Sequence, residues 1–317
     1  MTERERFIKT LTLEKIGGRV PTFELEFFLT MEACGRVYAS QRNFDQWGQM
    51  SVSERNLHAR DLADLYVAVA RRYGWSAIFL QNVGAWDRLV RVLDAVRELA
   101  GDEYFLMLHG DPTFGIPGGD AMEEFSMRMY EDADGLKREA EERLAASVRL
   151  AERLRGHGGL DGFALCADYC FNAAPFFNDE QFNEFVAPYL ARVLRAYRDL
   201  GFYTIKHTDG NIMPILDALV QCGPHALHSL DPQGGVDLAA VSARVGDRVA
   251  LCGNVNCGLL QTGTLAEVAD DARRSLRDGM ARGRGYVFCT SNCVYTGLEL
   301  ARYELINDLW RAEGIYR

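Results

Sequence analysis

NDEQFNEFVAPYLARVLRAYRDLGFYTIKHTDGN, residues 178–211, contains a helix, a break and a strand in succession. Asn178 can cap the helix, with Gln181 three residues on as its reciprocal partner. Phe182, Phe185, Val186, Leu190, Val193 and Tyr197 recur at helical spacing and form one buried stripe. Pro188 predicts a kink, because it lacks an N–H and crowds the preceding turn. Gly201 ends the helix, and FYTIKHTDGN then runs as a strand into a turn. Side chains two apart on a strand share a face, so His207 and Asp209 can reach toward one point.

The same helix–strand unit recurs in both directions. PTFELEFF reads as a first strand, and a helical pattern follows from about Val52 to Arg72, with Leu62, Leu65 and Val69 on one stripe. SAIFLQN is a second strand, and WDRLVRVLDAVRELAG a helix closed by Gly101. YFLMLHGD is a third strand. A charged helical region from about Asp120 to Arg155 is longer than one crossover requires, so it reads as an excursion of two or more helices between strands three and four. GFALCADY, FYTIKHTDGN, HALHSLDP, VALCGNVN and GYVFCTSN supply strands four to eight. Pro214, Asp237 and the Thr264/Glu267 capping box open the intervening helices, and ELARYELINDLWRAEG is the last. About eight alternating units predict an α/β fold, a (β/α)8 TIM-type barrel forming one domain over residues 1–317. No G-x-G-x-x-G follows the first strand, which counts against a dinucleotide-binding fold.

Composition narrows the partners. A net charge of −10 over 317 residues repels phosphate backbones and excludes nucleic acid as a natural partner. No apolar run of ~18 residues is available to cross a membrane, and the charged start MTERERFIKTLTLEKIGGRVP lacks the apolar centre of a signal peptide. A cytoplasmic location is expected, with the eight cysteines as thiols.

In such barrels the active site lies at the C-terminal ends of the strands. That rule gathers Glu24 and Glu26, Gln81 and Asn82, His109 and Asp111, Cys166 and Asp168, His207 and Asp209, Asp231, then Cys252, Asn254 and Asn256, and finally Cys289, Ser291 and Cys293. Zinc takes Cys, His and carboxylate ligands and leaves one position open in catalytic sites. His207 and Cys293, from strands five and eight, can close on one ion, with Asp209 or Cys252 completing the set. Plainer readings compete: His207 as a hydrogen-bonded barrel histidine, Asp209 as a helix cap, Cys252 and Cys289 as core, and Asp168 as a loop cap. His109 divides between packing and substrate contact, and His58, His157, His225 and His228 read as surface or satisfied groups. Glu24 and Glu26 share a strand face; turned inward they serve the site, since buried unpaired carboxylates are costly.

RERFIKTLTLEKIGGRVP, ADYCFNAAPFFNDEQFNEFVAPYLARVLRAYRDLG, KHTDGNIMPILDAL, LHSLDPQGGVDLAAV, VALCGNVNCGLLQTGT and GRGYVFCTSNCVYTG together resemble the uroporphyrinogen decarboxylase superfamily, which includes zinc-dependent methyltransferases that work with corrinoid proteins. The resemblance implies a distorted barrel and a tendency to pair as a homodimer. The decarboxylase branch uses an Arg-rich segment after strand one and an Asp after strand two; here FFLTMEACGR offers Arg36 alone, FLQNVG has Gln81 and Asn82, and Cys293 stands where a late histidine is expected. The methyltransferase branch carries His-x-Cys after strand five and one Cys after strand eight; His207 and Cys293 match, and Asp209 replaces the middle cysteine.

The expected function is therefore a zinc-dependent methyltransferase exchanging a methyl group between a corrinoid (cobalamin) protein and a small thiol, ether or amine. His207, Asp209 and Cys293 are the expected ligands, with Glu24, Glu26 or Cys252 as a fourth. Asp168 and His109 are expected to orient substrate, alongside Glu24, Glu26, Asn82 and Asn254. A metal-independent decarboxylase and a non-catalytic corrinoid- or partner-binding barrel are the alternatives.

Overall fold

The structure, a computed structural model, describes residues 1–81 and 83–316, with Ser40 described in its backbone only. Nine strands are present among them: β1 (Gly18–Arg19), β2 (Ala77–Phe79), β3 (Phe105–His109), β4 (Gly162–Cys166), β5 (Tyr203–Thr208), β6 (Ala226–Ser229), β7 (Ala250–Cys252), β8 (Tyr286–Val287) and β9 (Ile315–Tyr316). β2 to β8 form one parallel sheet in sequence order, and β1 pairs with β9 antiparallel. A single rung of the sheet runs Cys166–His207–His228–Cys252–Val287 across five strands.

The segment expected to be a first regular strand is irregular. Parallel bridges occur only at Thr22↔Phe288 and Phe27↔Val294. The segment nevertheless bonds to both edges of the curled sheet. Ser76 N–H donates to the Thr22 carbonyl (2.7 Å) on the β2 side, and Phe288 N–H donates to the Pro21 carbonyl (2.9 Å) on the β8 side. Phe23 and Leu25 join the interior apolar cluster, whereas Phe27 packs outward with Tyr73, Trp75 and Tyr303 at ring-centroid distances of 5.0–5.7 Å. The alternation thus changes phase at the bend near Leu25. Glu24 and Glu26 therefore point to opposite sides, which corrects the expectation that they share a face.

Alternate residues fill the interior: Ala77 and Phe79, Phe105 and Met107, Ala164, Ile205, Ala226, Ala250 and Cys252, Val287 and Cys289. A helix at Glu3–Leu11, unforeseen from the sequence, inserts Phe7 and Leu11 into the same cluster, with Phe7 4.9 Å from Phe105 and 5.5 Å from Phe23. Apolar matter so closes the end opposite the strand C-termini, and polar chemistry is left to the other end. The outer layer follows the amphipathic stripes. Val52–Tyr73 and Trp86–Ala100 cover β2 and β3, and Ala121–Glu131 and Ala133–His157 lie between β3 and β4. The capping boxes at Asn178/Gln181 and Thr264/Glu267 form as expected. Upstream of Pro188 the helix widens into a π-turn at Phe182–Val186 before continuing as Ala187–Asp199, which relieves the clash proline imposes one turn back. Among the described residues no helix is long and apolar enough to cross a membrane.

Candidate active site

β5 delivers His207 into the interior layer above Ile205, and the loop after it folds back over the mouth. Gly210 makes this fold possible. Its φ is +77°, and a Cβ there would lie 2.5 Å from the Cys170 carbonyl oxygen, so only glycine fits between the loops after β4 and β5. Asp209 N–H donates to Asp168 Oδ1 (2.9 Å), and Tyr169 N–H donates to Thr208 Oγ1 (2.9 Å), so the two loops are bonded together. His207 Nε2 then lies 3.7 Å from Asp168 Oδ1 and 3.7 Å from Asp209 Oδ1. One ligand atom from each of Asp168, His207 and Asp209 lies within 4.8 Å of the others.

Behind His207 is His228, which corrects its expected place among surface or satisfied groups. It is 1% exposed, and its Nδ1 is 2.8 Å from His207 Nδ1. The signal is present in the sequence: Ala226 and His228 occupy one face of β6, and Ala226 is interior.

The remaining expected residues divide. Glu26 reaches the mouth, where Cys293 Sγ is 3.2 Å from its Oε2 and 3.0 Å from Asn292 Oδ1; the Asn292 amide in turn donates to Asp209 Oδ2. Cys293 thus abuts the cluster through Asn292 without joining the 4.8 Å set. Glu24 is turned away. It accepts from Thr290 and lines a small cavity with Leu65, Tyr66 and Val69 of the outer helix, so it does not contact substrate at the mouth. Cys252 is wholly buried in the interior apolar filling, in keeping with the core reading and not with a ligand. Asn254 is also buried, and its amide is used up: Nδ2 donates to the Leu230 carbonyl (2.7 Å) and Oδ1 accepts from both terminal nitrogens of Arg274 on an outer helix (3.0 Å each), which rules out the expected substrate contact. His109 stands exposed at the end of β3. Asn82 lies outside the described residues. Tyr38, which carried no local signal, is buried against Phe28 (ring centroids 4.7 Å) and donates to Gln81 Oε1.

Charge is the dominant property of this mouth. Burial raises the pKa of Glu26, opposed by its hydrogen bond to Cys293 and by the charge of His207. Burial raises Asp209, with His207 opposing and Asp168 and Asp231 adding to the rise. Asp231 is raised by burial against backbone N–H donors and His207. Burial, then Glu26, pushes the Cys293 thiol up, so it holds its proton. Four carboxylates crowd one imidazole, and Asp209 Oδ1 is buried with no hydrogen-bond partner. A buried acceptor without a donor is costly, and a cation held among Asp168, His207 and Asp209 would satisfy it. One imidazole nitrogen and two carboxylate oxygens fit zinc or a harder divalent ion.

Residues 118–311, well over half of the chain, match the family described as Uroporphyrinogen decarboxylase (URO-D). No curated protein matches the sequence. Among solved structures, a methyltransferase from Methanosarcina mazei superposes with a TM-score of 0.74 at 16% identity, covering 99% of each chain. A beta-mannanase from the blue mussel Mytilus edulis superposes with a TM-score of 0.51 at 9% identity, covering 95% of this chain and 97% of its own. At such identities these likenesses establish the fold alone.

Proposed function

This chain belongs to the uroporphyrinogen decarboxylase family, and from that premise we propose that it is a metal-dependent methyltransferase, moving a methyl group between a corrinoid protein and a small thiol, ether or amine. The seven-stranded sheet and its bridging segment are read as the distorted (β/α)8 barrel of that family. The observation that carries the proposal is the unpartnered Asp209 Oδ1, 3.7 Å from His207 Nε2 and in one cluster with Asp168. The likeness in fold to the Methanosarcina methyltransferase supports the same branch.

His207 Nε2 and one oxygen each of Asp168 and Asp209 would hold the ion. When bound, zinc supplies Lewis acidity, lowering the pKa of an acceptor thiol or polarising the atom that carries the methyl group. Glu26, held above the ordinary carboxylate range, is placed to take the proton an acceptor thiol loses or to deliver one to a leaving oxygen or nitrogen. Cys293 keeps Glu26 oriented through its 3.2 Å contact. His109, exposed at the end of β3, is placed to orient the substrate. The carboxylates around His207 repel a polyanion, which weighs against the porphyrinogen reaction of the decarboxylase branch.

Elemental analysis and a methylcobalamin-consumption assay test the reading together. Wild type is expected to carry stoichiometric zinc and to transfer methyl to a small acceptor. His207→Ala is expected to lose about 100-fold or more in metal affinity and to be inactive. Stoichiometric zinc in His207→Ala would remove the imidazole from the site.

A further inference from the structure

A chain of side chains crosses the mouth from the first-strand segment to the loop after β5: Glu26, Cys293, Asn292 and Asp209. Asn292 is the link next to the cluster, and its backbone is pinned on both sides. Ser291 N–H donates to the Val255 carbonyl (2.8 Å), and Val294 N–H donates to the Glu26 carbonyl (2.9 Å). The Ser291 carbonyl accepts from the Ser229 hydroxyl, and the Asn292 carbonyl accepts from the Thr290 hydroxyl (3.0 Å). The side chain of Asn292 therefore leaves a fixed stem. A carboxylate only accepts, so the Asn292 amino group faces Asp209 Oδ2, and the amide oxygen faces the Cys293 thiol (3.0 Å). The opposite orientation would set amide oxygen against carboxylate oxygen.

This bond makes the two oxygens of Asp209 unequal. Oδ2 has a donor. Oδ1 is buried, has none, and lies 3.7 Å from His207 Nε2. The main chain of Asp209 is held as well, through N–H donation to Asp168 Oδ1 (2.9 Å). With the main chain and one oxygen both held, the carboxylate cannot turn Oδ2 inward without giving up the Asn292 bond.

We propose that Asn292 is a positioning residue: by holding Asp209 Oδ2 it presents Oδ1 alone to His207 and Asp168, so that Asp209 meets a cation through one oxygen. A ligating carboxylate that is itself hydrogen-bonded has its orientation set before the ion arrives, which raises affinity for the ion. The ligation through one oxygen rests on the reading given under Proposed function; the hold of Asn292 on Asp209 does not.

Proton NMR of the metal-free protein reads the contact directly. A charge-assisted bond to a carboxylate is short and deshields the donated proton. One Asn292 Nδ2–H is therefore expected well downfield of an ordinary side-chain amide, and back in the ordinary range in Asp209→Ala. An ordinary Asn292 amide in both proteins overturns the proposal. Zinc titrations against a chelating dye, on variants checked for folding by circular dichroism, give the second readout. Asn292→Leu keeps the bulk and removes the donor. It is expected to weaken zinc binding about 10–100-fold, and to make no further difference in the Asp209→Ala background. Wild-type affinity in Asn292→Leu, or a loss of the same size in both backgrounds, overturns the positioning role. If the wild-type protein itself binds no zinc, the metal reading fails and takes the ligation through one oxygen with it, while the amide resonance still decides whether Asn292 holds Asp209.

Discussion

Thr290 has one hydroxyl proton and two acceptors beside it, Glu24 Oε2 at 2.5 Å and the Asn292 carbonyl at 3.0 Å. A protonated Glu24 resolves the conflict by donating to the Thr290 hydroxyl, which then donates to Asn292. Burial acts the same way, pushing Glu24 up to about 8 against hydrogen bonds from Thr290. Because the folded pKa lies above the ordinary carboxyl value, this group's contribution to stability is fully present below pH 4.5 and is lost as pH rises through about 8. Glu24→Gln keeps the shape without the titration. It is expected to match wild type at pH 4 and to exceed it by on the order of 3 kcal/mol at pH 8, read from urea midpoints. At this scale the sequence was legible where a regular strand carries the residue. His207, Asp209 and Asp168 fall where the strand-end rule puts them. It was illegible where the backbone bends, as at Leu25, because period-2 reasoning cannot place Glu24 and Glu26 across a change of phase. Asn254 failed for another reason: its partner Arg274 is 20 residues away on a helix, and no local pattern announces that bond.

One element, β5, is anchored by a buried ion pair behind the site. The side chains of Lys206 and Asp111 are 0% and 1% exposed, with Nζ 2.7 Å from Oδ2. The same ammonium donates to the Ala167 carbonyl (2.8 Å), next to Asp168, and lies 4.1 Å from the Tyr169 ring centroid. Burial opposes ionisation of Asp111, yet the charge and hydrogen bond of Lys206 hold its pKa below the ordinary value. Lys206→Met strands a buried carboxylate and is expected to cost about 3–5 kcal/mol by urea unfolding. Lys206→Met with Asp111→Asn is expected to recover more than half of that loss, and additive losses would show the pair to be uncoupled. Helix ends and caps were readable at this scale because their signals are local, as at Asn178 and Gly101. The π-turn at Phe182–Val186 was readable only as a kink at Pro188, since spacing does not say how a helix absorbs a proline.

For the whole molecule, a ligand that binds only the folded state adds its binding energy to stability. If Asp168, His207 and Asp209 hold zinc, the metal at 100 times its Kd is expected to stabilise wild type by about 2.7 kcal/mol and His207→Ala by close to nothing, as measured by chemical unfolding at fixed pH. An equal gain in both proteins would place the ion elsewhere. The alternation of strands and helices specified the parallel sheet and its order, because each unit buries its own apolar stripe. The way the sheet's edges meet was not specified, because Pro21–Phe28 joins them with hydrogen bonds that do not require a regular strand.

The small β1–β9 ladder has a mechanical consequence. Gly18 faces Tyr316 and Arg19 faces Ile315, so handles attached at Gly18 and Tyr316 would load the ladder as a zipper, one pair at a time. Little force is needed to separate so short a ladder in that geometry. The tension would next reach Val20, held by Trp310 Nε1–H at 2.9 Å, and then the bent segment that carries Glu26. Traction there would thus load both edges of the sheet, through Pro21 and Thr22, before it reached Glu26 at the mouth.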